Sequence, residues 1–381
     1  MDSDKWIPRY FEQDADRMFR PGHVVLLYGA RRVGKTALVR KLLAGRDANV
    51  FFSTGEDADL ADILSSRKTA TYRLFFQNYD IVCIDEAQYI EDVGRSLKLL
   101  VDIFPATSFL ATGSSSFGLS QAATEPLTGR SIVHTLHPVS LGELLQKEQP
   151  LEVYRQFESF LLYGMYPEVF AYPDAARKAE YLINLRNSYL YRDILTLEQI
   201  KSSRKLQDIV TLLALQIGSE VSLNEIANTV GLARNTVERY IDLLEKSFIV
   251  MKIPAFSRNL RKEVGKTAKY YFRDTGVRNA VINNFNRLQL RDDVGALWEN
   301  FVVMELAKQY QYDQRGARFW FWRTYDQQEL DLVIESEGSL KGYEIKWNDR
   351  KARIPKLWRD TYGPAEIISP HRLLELVDPG R

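Results

Sequence analysis

Apolar residues near the amino end gather in three short runs: Val24-Val-Leu-Leu-Tyr28, Ile81-Val-Cys-Ile84 and Phe109-Leu-Ala111. Runs this brief, each followed by polar or glycine-rich residues, predict buried strands of an α/β sheet. Between the first two, the spacing changes to a helical one over Thr36 to Leu43. From about Leu141 to Ile200 the pattern is helical throughout, with an aromatic stripe that reads as core. Residues 207–253 read as helix, helix, turn, helix and strand, with Phe248 to Ile253 and Ala268 to Phe272 as strands. Ser222 with Glu225 three residues on predicts a capping box before the middle helix. Farther on, Ala296 to Leu306 is helical, while Glu329-Leu-Asp331-Leu-Val-Ile and Gly342-Tyr-Glu344-Ile-Lys346-Trp read as strands.

The break after the first strand carries the clearest chemistry. Gly29-Ala30-Arg31-Arg32-Val33-Gly34-Lys35-Thr36, with Ala37 after it, satisfies the phosphate-loop pattern and lies between a strand and a helix. Backbone N–H groups and the helix N-terminus then face the phosphates of ATP. Lys35 offers a point charge to the β- and γ-phosphates, and Thr36 a hydroxyl to Mg2+. The second run ends in Asp85-Glu86, which suits a metal-holding carboxylate followed by one that polarises water. At the tip of the third, Thr112 and Ser114 are candidates to orient that water or read the γ-phosphate. Arg130 can stabilise transition-state charge in its own or a neighbouring subunit; a surface ion pair is the alternative reading.

Charge and composition narrow the partners. The chain has 381 residues, 45% hydrophobic and 27% charged, ordinary values for a globular protein of several domains. One cysteine, Cys83, lies inside an apolar run and reads as a core thiol, which fits a reducing cytoplasm. The first ten residues carry early acids and no apolar core, so they read as neither a signal nor a transit peptide. No apolar run nears the roughly 20 residues of a membrane span. The net charge is only +1, yet Gly231 to Arg273 holds ten Lys or Arg against four acids. Such a local basic surface is an electrostatic footprint for DNA or RNA. In the helix that starts near Ala233, Val237, Ile241 and Leu244 share one face and leave Arg234, Asn235, Glu238 and Arg239 on the other. Arg258, Arg261, Lys262 and Lys266 fall in a basic stretch between two strands, as in a DNA-contacting wing.

The last third offers a separate chemistry. Alternation puts Glu344 and Lys346 on one strand face, with Asp331 on an adjacent strand. Asp331 and Glu344 as ligands of a second Mg2+, with Lys346 orienting water, suit phosphodiester cleavage. The set resembles the PD-(D/E)xK restriction-endonuclease fold, in which Glu299 matches the helical acid.

Residues 9 to 140 resemble the AAA+-type ATPases of the AAA_14 group. The likeness rests on an Arg near the start, G-A-R-R-V-G-K-T, I-D-E-A-Q, A-T-G-S-S, and L-T-G-R followed by L-H-P-V-S-L-G-E-L. The remainder of the chain resembles the DUF4143 segment, through Gly164-Met-Tyr-Pro-Glu168, Tyr191-Arg-Asp193-Ile and Tyr271-Phe-Arg-Asp274-Thr-Gly276. The resemblance implies an α/β P-loop ATPase domain over 1–140 and a helical lid over 141–205, where Arg186 or Arg192 would sense nucleotide. A winged helix-turn-helix over 206–275 and a nuclease-like domain over 276–381 would come next. It also implies a homo-oligomer, a hexameric ring being one form. Three functions stay open: an ATPase that binds or remodels DNA, a nucleotide-dependent switch for protein partners, and an ATP-controlled endonuclease.

Overall fold

The computed structural model describes residues 6–114, 127–193, 203–256, 268–324, 326–348 and 353–377. They form two compact units, Pro8–Pro138 and a second built from Val139 onward together with the residues up to Ile7. In the first unit the order is β1 (Val24–Tyr28), α1 (Lys35–Ala44), β2 (Val50–Thr54), α2 (Ala58–Ser65), α3 (Thr69–Phe76), β3 (Ile81–Asp85), α4 (Val93–Ile103), β4 (Ser108–Gly113) and β5 (Ser131–Thr135). The sheet order is β2-β3-β4-β1-β5, and every pairing is parallel. Strands β1, β3 and β4 are buried throughout, which explains why their sequences run apolar instead of alternating. Because all strands point one way, the chain leaves β1, β3 and β4 at the same sheet edge. That edge holds the phosphate loop, Asp85 and Thr112.

The second unit opens with helices α5 (Leu141–Leu145), α6 (Pro150–Arg155), α7 (Phe157–Tyr163) and α8 (Ala175–Leu185). Next is a winged helix: α9 (Ser203–Leu215), β6 (Glu220–Val221), α10 (Leu223–Val230), α11 (Arg234–Lys246), β7 (Val250–Pro254) and β8 (Ala268–Phe272). Its small sheet is antiparallel in the order β6-β8-β7. Strand β7 begins two residues later than the sequence predicts, because Phe248 takes a left-handed backbone at φ 55° that a strand cannot contain. Half of the predicted capping box forms, with Ser222 Oγ accepting from Glu225 N at 3.4 Å. A complete box on the same Ser-x-x-Glu spacing begins α5: Ser140 N donates to Glu143 Oε2 (2.9 Å) and Glu143 N to Ser140 Oγ (3.2 Å).

Helix α12 (Thr275–Val281) leads to α13 (Val294–Tyr312), then β9 (Ala317–Arg323), β10 (Glu329–Ser336), β11 (Ser339–Ile345), α14 (Lys356–Tyr362), β12 (Ala365–Ile368) and α15 (Pro370–Val377). The sheet runs β12-β11-β10-β9, antiparallel except for the parallel β11–β12 pair. Trp322, Leu330, Val333 and Trp358 form an apolar cluster there. Helix α13 is buried almost all round, as expected of a helix inside a core.

The helices expected to be a lid are fastened within this second unit. Asn279 Nδ2 donates to the carbonyls of Leu161 and Leu162, both at 2.9 Å, and Thr275 Oγ1 to that of Phe160 at 2.7 Å. Two stretches that carry the DUF4143 resemblance meet here. Asp274 Oδ2 accepts from Met165 N at 2.7 Å, and a Cβ on Gly164, at φ 71°, would fall 2.0 Å from Asp274 Oδ1. Only glycine meets both demands. No described helix is long and apolar enough to cross a membrane.

Candidate functional site

At the loop after β1, Gly29 has φ 154°, and a Cβ there would lie 2.2 Å from the carbonyl oxygen of Leu136. A bare backbone is therefore required where the chain leaves the strand. Arg32 and Gly34 also have positive φ, which curls the loop before α1 begins at Lys35. Lys35 is buried, and its ammonium donates to the carbonyls of Gly29 (3.0 Å) and Ala30 (3.1 Å). Burial lowers its pKa, while Glu86 and Asp85 oppose that shift.

Asp85 closes the site from β3. Its Oδ2 accepts from the Thr36 hydroxyl at 2.7 Å, and its Oδ1 from the Thr112 hydroxyl at 2.5 Å. Thr112 Oγ1 in turn accepts from Glu86 N at 3.0 Å, so Thr112 positions both acidic residues. Glu86 sits at φ 48°, a strained angle for a residue with a side chain. Its Oε2 accepts from Gln88 Nε2 at 2.5 Å, and Gln88 also donates to Ser114 Oγ at 3.2 Å. Ser114 therefore meets the site through Gln88. A hydroxyl, a carboxylate and a buried ammonium beside a glycine-bounded loop fit a phosphate chain with Mg2+: Thr36 and Asp85 supply hard oxygen ligands, and Lys35 the countercharge.

Two residues here enter the sequence reading only through the family resemblance, not through any spacing rule. Arg9 is buried, and its guanidinium donates to the carbonyls of Val33 (2.8 Å) and His137 (2.6 Å), bracing the loop from outside. A lone arginine 20 residues ahead of a phosphate loop has no spacing rule to reveal it. Gln88, the last residue of I-D-E-A-Q, lies in a 3-10 turn just past Glu86, and the motif by itself gives it no role.

Arg130 lies elsewhere. Its carbonyl accepts from Val24 N, at the start of β1, and its guanidinium pairs with Asp102 at 2.9 Å. The phosphate loop leaves the opposite end of that strand. Arg130 is therefore placed away from the nucleotide edge of its own unit, because the strand it precedes runs parallel to β1.

The basic face and the carboxylates occupy the second unit. On α11, Val237, Ile241 and Leu244 are buried, whereas Arg234, Asn235, Glu238 and Arg239 are exposed. Arg234 and Glu238 form an exposed pair at 3.2 Å. Arg258, Arg261, Lys262 and Lys266 lie outside the described residues, as does the side chain of Arg192. Arg186 donates to Ala280 O at 2.6 Å.

Lys346, just past β11, reaches Asp331 Oδ2 at 3.1 Å and Glu344 Oε1 at 2.8 Å. Asp331 Oδ2 also accepts from Ile345 N at 2.7 Å. Glu299 on α13 is turned to other partners: its Oε1 accepts from Lys269 Nζ at 3.1 Å and from the Tyr271 hydroxyl at 2.6 Å. Lys269 also pairs with Glu329 at 2.7 Å. Burial raises Glu299 to about 7, with Lys269 pulling it back. Burial likewise raises Glu344. For Lys346, burial works downward, but Asp331 and Glu344 raise it on balance. Among the described residues, no three His, Cys, Asp or Glu side chains stand together as ligands for a metal ion. Lys269 and Glu329 belong to no motif in the sequence. The one signal is a lysine inside the otherwise apolar strand Ala268–Phe272.

The parallel sheet and its loop, with Lys35, Thr36 and Asp85 grouped at one edge, define the fold of a P-loop ATPase of the AAA type. Residues 21–145 match the family described as an AAA domain, and residues 154–288 and 294–362 match two domains of unknown function, DUF8612 and DUF4143. An uncharacterized protein of Mycobacterium tuberculosis is 30% identical over 327 residues, which cover 85% of this chain and 70% of the relative. The chain belongs to this family of AAA-domain proteins with a DUF4143 region. An uncharacterized protein of Methanocaldococcus jannaschii is 22% identical over 348 residues, 86% of this chain and 76% of its own. Among solved structures, domain III of the Thermotoga maritima replication initiation protein DnaA is 15% identical with a TM-score of 0.29, covering 64% of this chain and 94% of that one.

Proposed function

We propose that this protein hydrolyses ATP and couples hydrolysis to binding or remodelling DNA. The observation that carries the ATPase half is the contact of Thr36 with Asp85, beside a buried Lys35 that rests only on backbone carbonyls. In this reading Lys35 neutralises the β- and γ-phosphates. Thr36 and Asp85 would hold Mg2+, which would screen phosphate charge when bound. Glu86, held by Gln88 and its strained backbone, takes the proton of the attacking water. Thr112 keeps Asp85 and Glu86 in register. Arg130, remote from its own loop, serves a neighbouring copy in a homo-oligomer.

The DNA half rests on α11. Its buried apolar face anchors it, and its exposed Arg234, Asn235 and Arg239 match the presentation of a recognition helix. ATP turnover measured with single-stranded, duplex and four-way DNA tests the coupling. Stimulation by one form names the substrate; a rate indifferent to all three removes DNA from the reading.

A further inference from the structure

The C-terminal carboxylates raise a question independent of ATP: what supplies their positive charge? Four acids, Glu299, Glu329, Asp331 and Glu344, lie around two lysines. Lys346 is partly exposed, with 39% of its side chain accessible, and sits at a strand end. Lys269 differs. It projects from the central strand of the winged-helix sheet, its side chain is 2% exposed, and both Glu299 and Glu329 bind its ammonium.

Among the described residues no group of three acids is set to hold a metal ion, and the bonds already made by Glu299 and Asp331 show why. Glu299 Oε1 already takes bonds from Lys269 and Tyr271. Asp331 Oδ2 is committed to Ile345 N and Lys346. The Lys269 ammonium also lies 5.4 Å over the ring of Phe321, an apolar wall with a face that favours a cation. A metal brought to Glu299 would meet a fixed like charge in a poorly solvated interior, where such repulsion is strongest.

We propose that Lys269 takes the place of a catalytic metal in this cluster, so that the nuclease-like domain holds no divalent cation and cuts no DNA. The ammonium is then a mechanical part. It fastens the winged-helix strand β8 to helix α13 and strand β10.

Manganese titration of the full chain without nucleotide, read by the electron paramagnetic resonance signal of free Mn2+, tests this. Wild type, Glu299→Gln and Asp331→Asn should give superimposable curves, and supercoiled plasmid should stay uncut in Mg2+ or Mn2+. Uptake that falls tenfold or more in either variant, or cleavage that either variant abolishes, overturns the proposal. Lys269→Met with Glu329→Gln removes one cation and one anion together, so net charge is kept. It should bind Mn2+ at least tenfold more tightly than wild type. If that variant is folded by circular dichroism and takes up no more, Lys269 is not what excludes the metal and the idea fails. If it does not fold, the wild-type curves decide.

Discussion

Lys35 and Lys269 both sit buried near acids, and their hydrogen-bond partners differ. Lys35 gives its hydrogen bonds to two neutral backbone carbonyls. Lys269 gives its own to two carboxylates. A neutral carbonyl leaves the ammonium without a bonded anion, with Asp85 and Glu86 only nearby, so an arriving phosphate would have no carboxylate to displace. Two carboxylates already compensate it, and an arriving anion would have to displace them. The acids show the same contrast. Asp85 bonds to two hydroxyls, partners that a metal can replace or share, whereas Glu299 is closed by a salt bridge. Similar residue types thus make an open site in one unit and a self-satisfied one in the other.

Removing the open site's charge should have the largest effect. Lys35→Ala is expected to lower ATP turnover by roughly 100-fold or more, the scale of losing one preorganised group that stabilises transition-state charge. Glu86→Gln should lower turnover comparably yet leave nucleotide affinity within a few fold, since in the proposed role it acts on water and not on phosphate. Steady-state hydrolysis with fluorescent-nucleotide titration separates the two. Full turnover in Lys35→Ala would end the contrast, because Lys35 would then be as inert as Lys269.

The closed site should announce itself in stability. Lys269→Met leaves Glu299 and Glu329 without their shared cation and is expected to cost about 3–5 kcal/mol, as for a broken buried pair. Lys346→Met, whose side chain reaches solvent, should cost under about 1 kcal/mol. Denaturant unfolding of both variants checks the difference. Equal losses would mean that burial does not distinguish these two lysines.

Titration sharpens the same point. Glu299 is raised to about 7, chiefly by burial. A carboxyl whose folded pKa lies above its unfolded value favours folding while protonated. That contribution is present below about 4.5 and is lost as pH rises through about 7. Wild type should therefore lose stability relative to Glu299→Gln over that window, by at most about 3 kcal/mol, then level off. A difference that stays flat from about pH 5 to pH 8 would refute the raised, buried carboxyl at Glu299.

These contrasts also show what a sequence can reveal. The loop, Asp85 and the three buried strands are legible because their chemistry is local: glycines, a lysine and a threonine at fixed spacing, or a short apolar run. The winged helix is legible through periodicity, and the strands bearing Asp331 and Glu344 through alternation. The partners of Arg9 and Lys269 are not, because each acts on residues distant in sequence, and Arg9 enters the sequence reading only as part of a family resemblance. Arg9 reaches Val33 and His137, and Lys269 reaches Glu299 and Glu329. Arg130 has the residue type of site chemistry, but the direction of β5 carries it to the far end of the sheet. Spacing tells which groups are near in sequence; only packing tells which partner a buried charge has chosen.

The smallest expected effect lies on the surface, where α11 tests whether the open site drives anything on DNA. Arg234 and Arg239 are exposed, and Arg234 already shares its charge with Glu238. An exposed pair of this kind contributes little to folding, so Glu replacements should leave the unfolding midpoint nearly unchanged. Binding is another matter, because each arginine that neutralises a phosphate releases a counterion. Arg234→Glu with Arg239→Glu should weaken DNA affinity and flatten the dependence of log affinity on log salt by about one unit for each phosphate no longer neutralised. Fluorescence anisotropy across a salt series measures both quantities. An unaltered slope would detach α11 from DNA while leaving the phosphate site as it stands, since the two rest on different residues in different units.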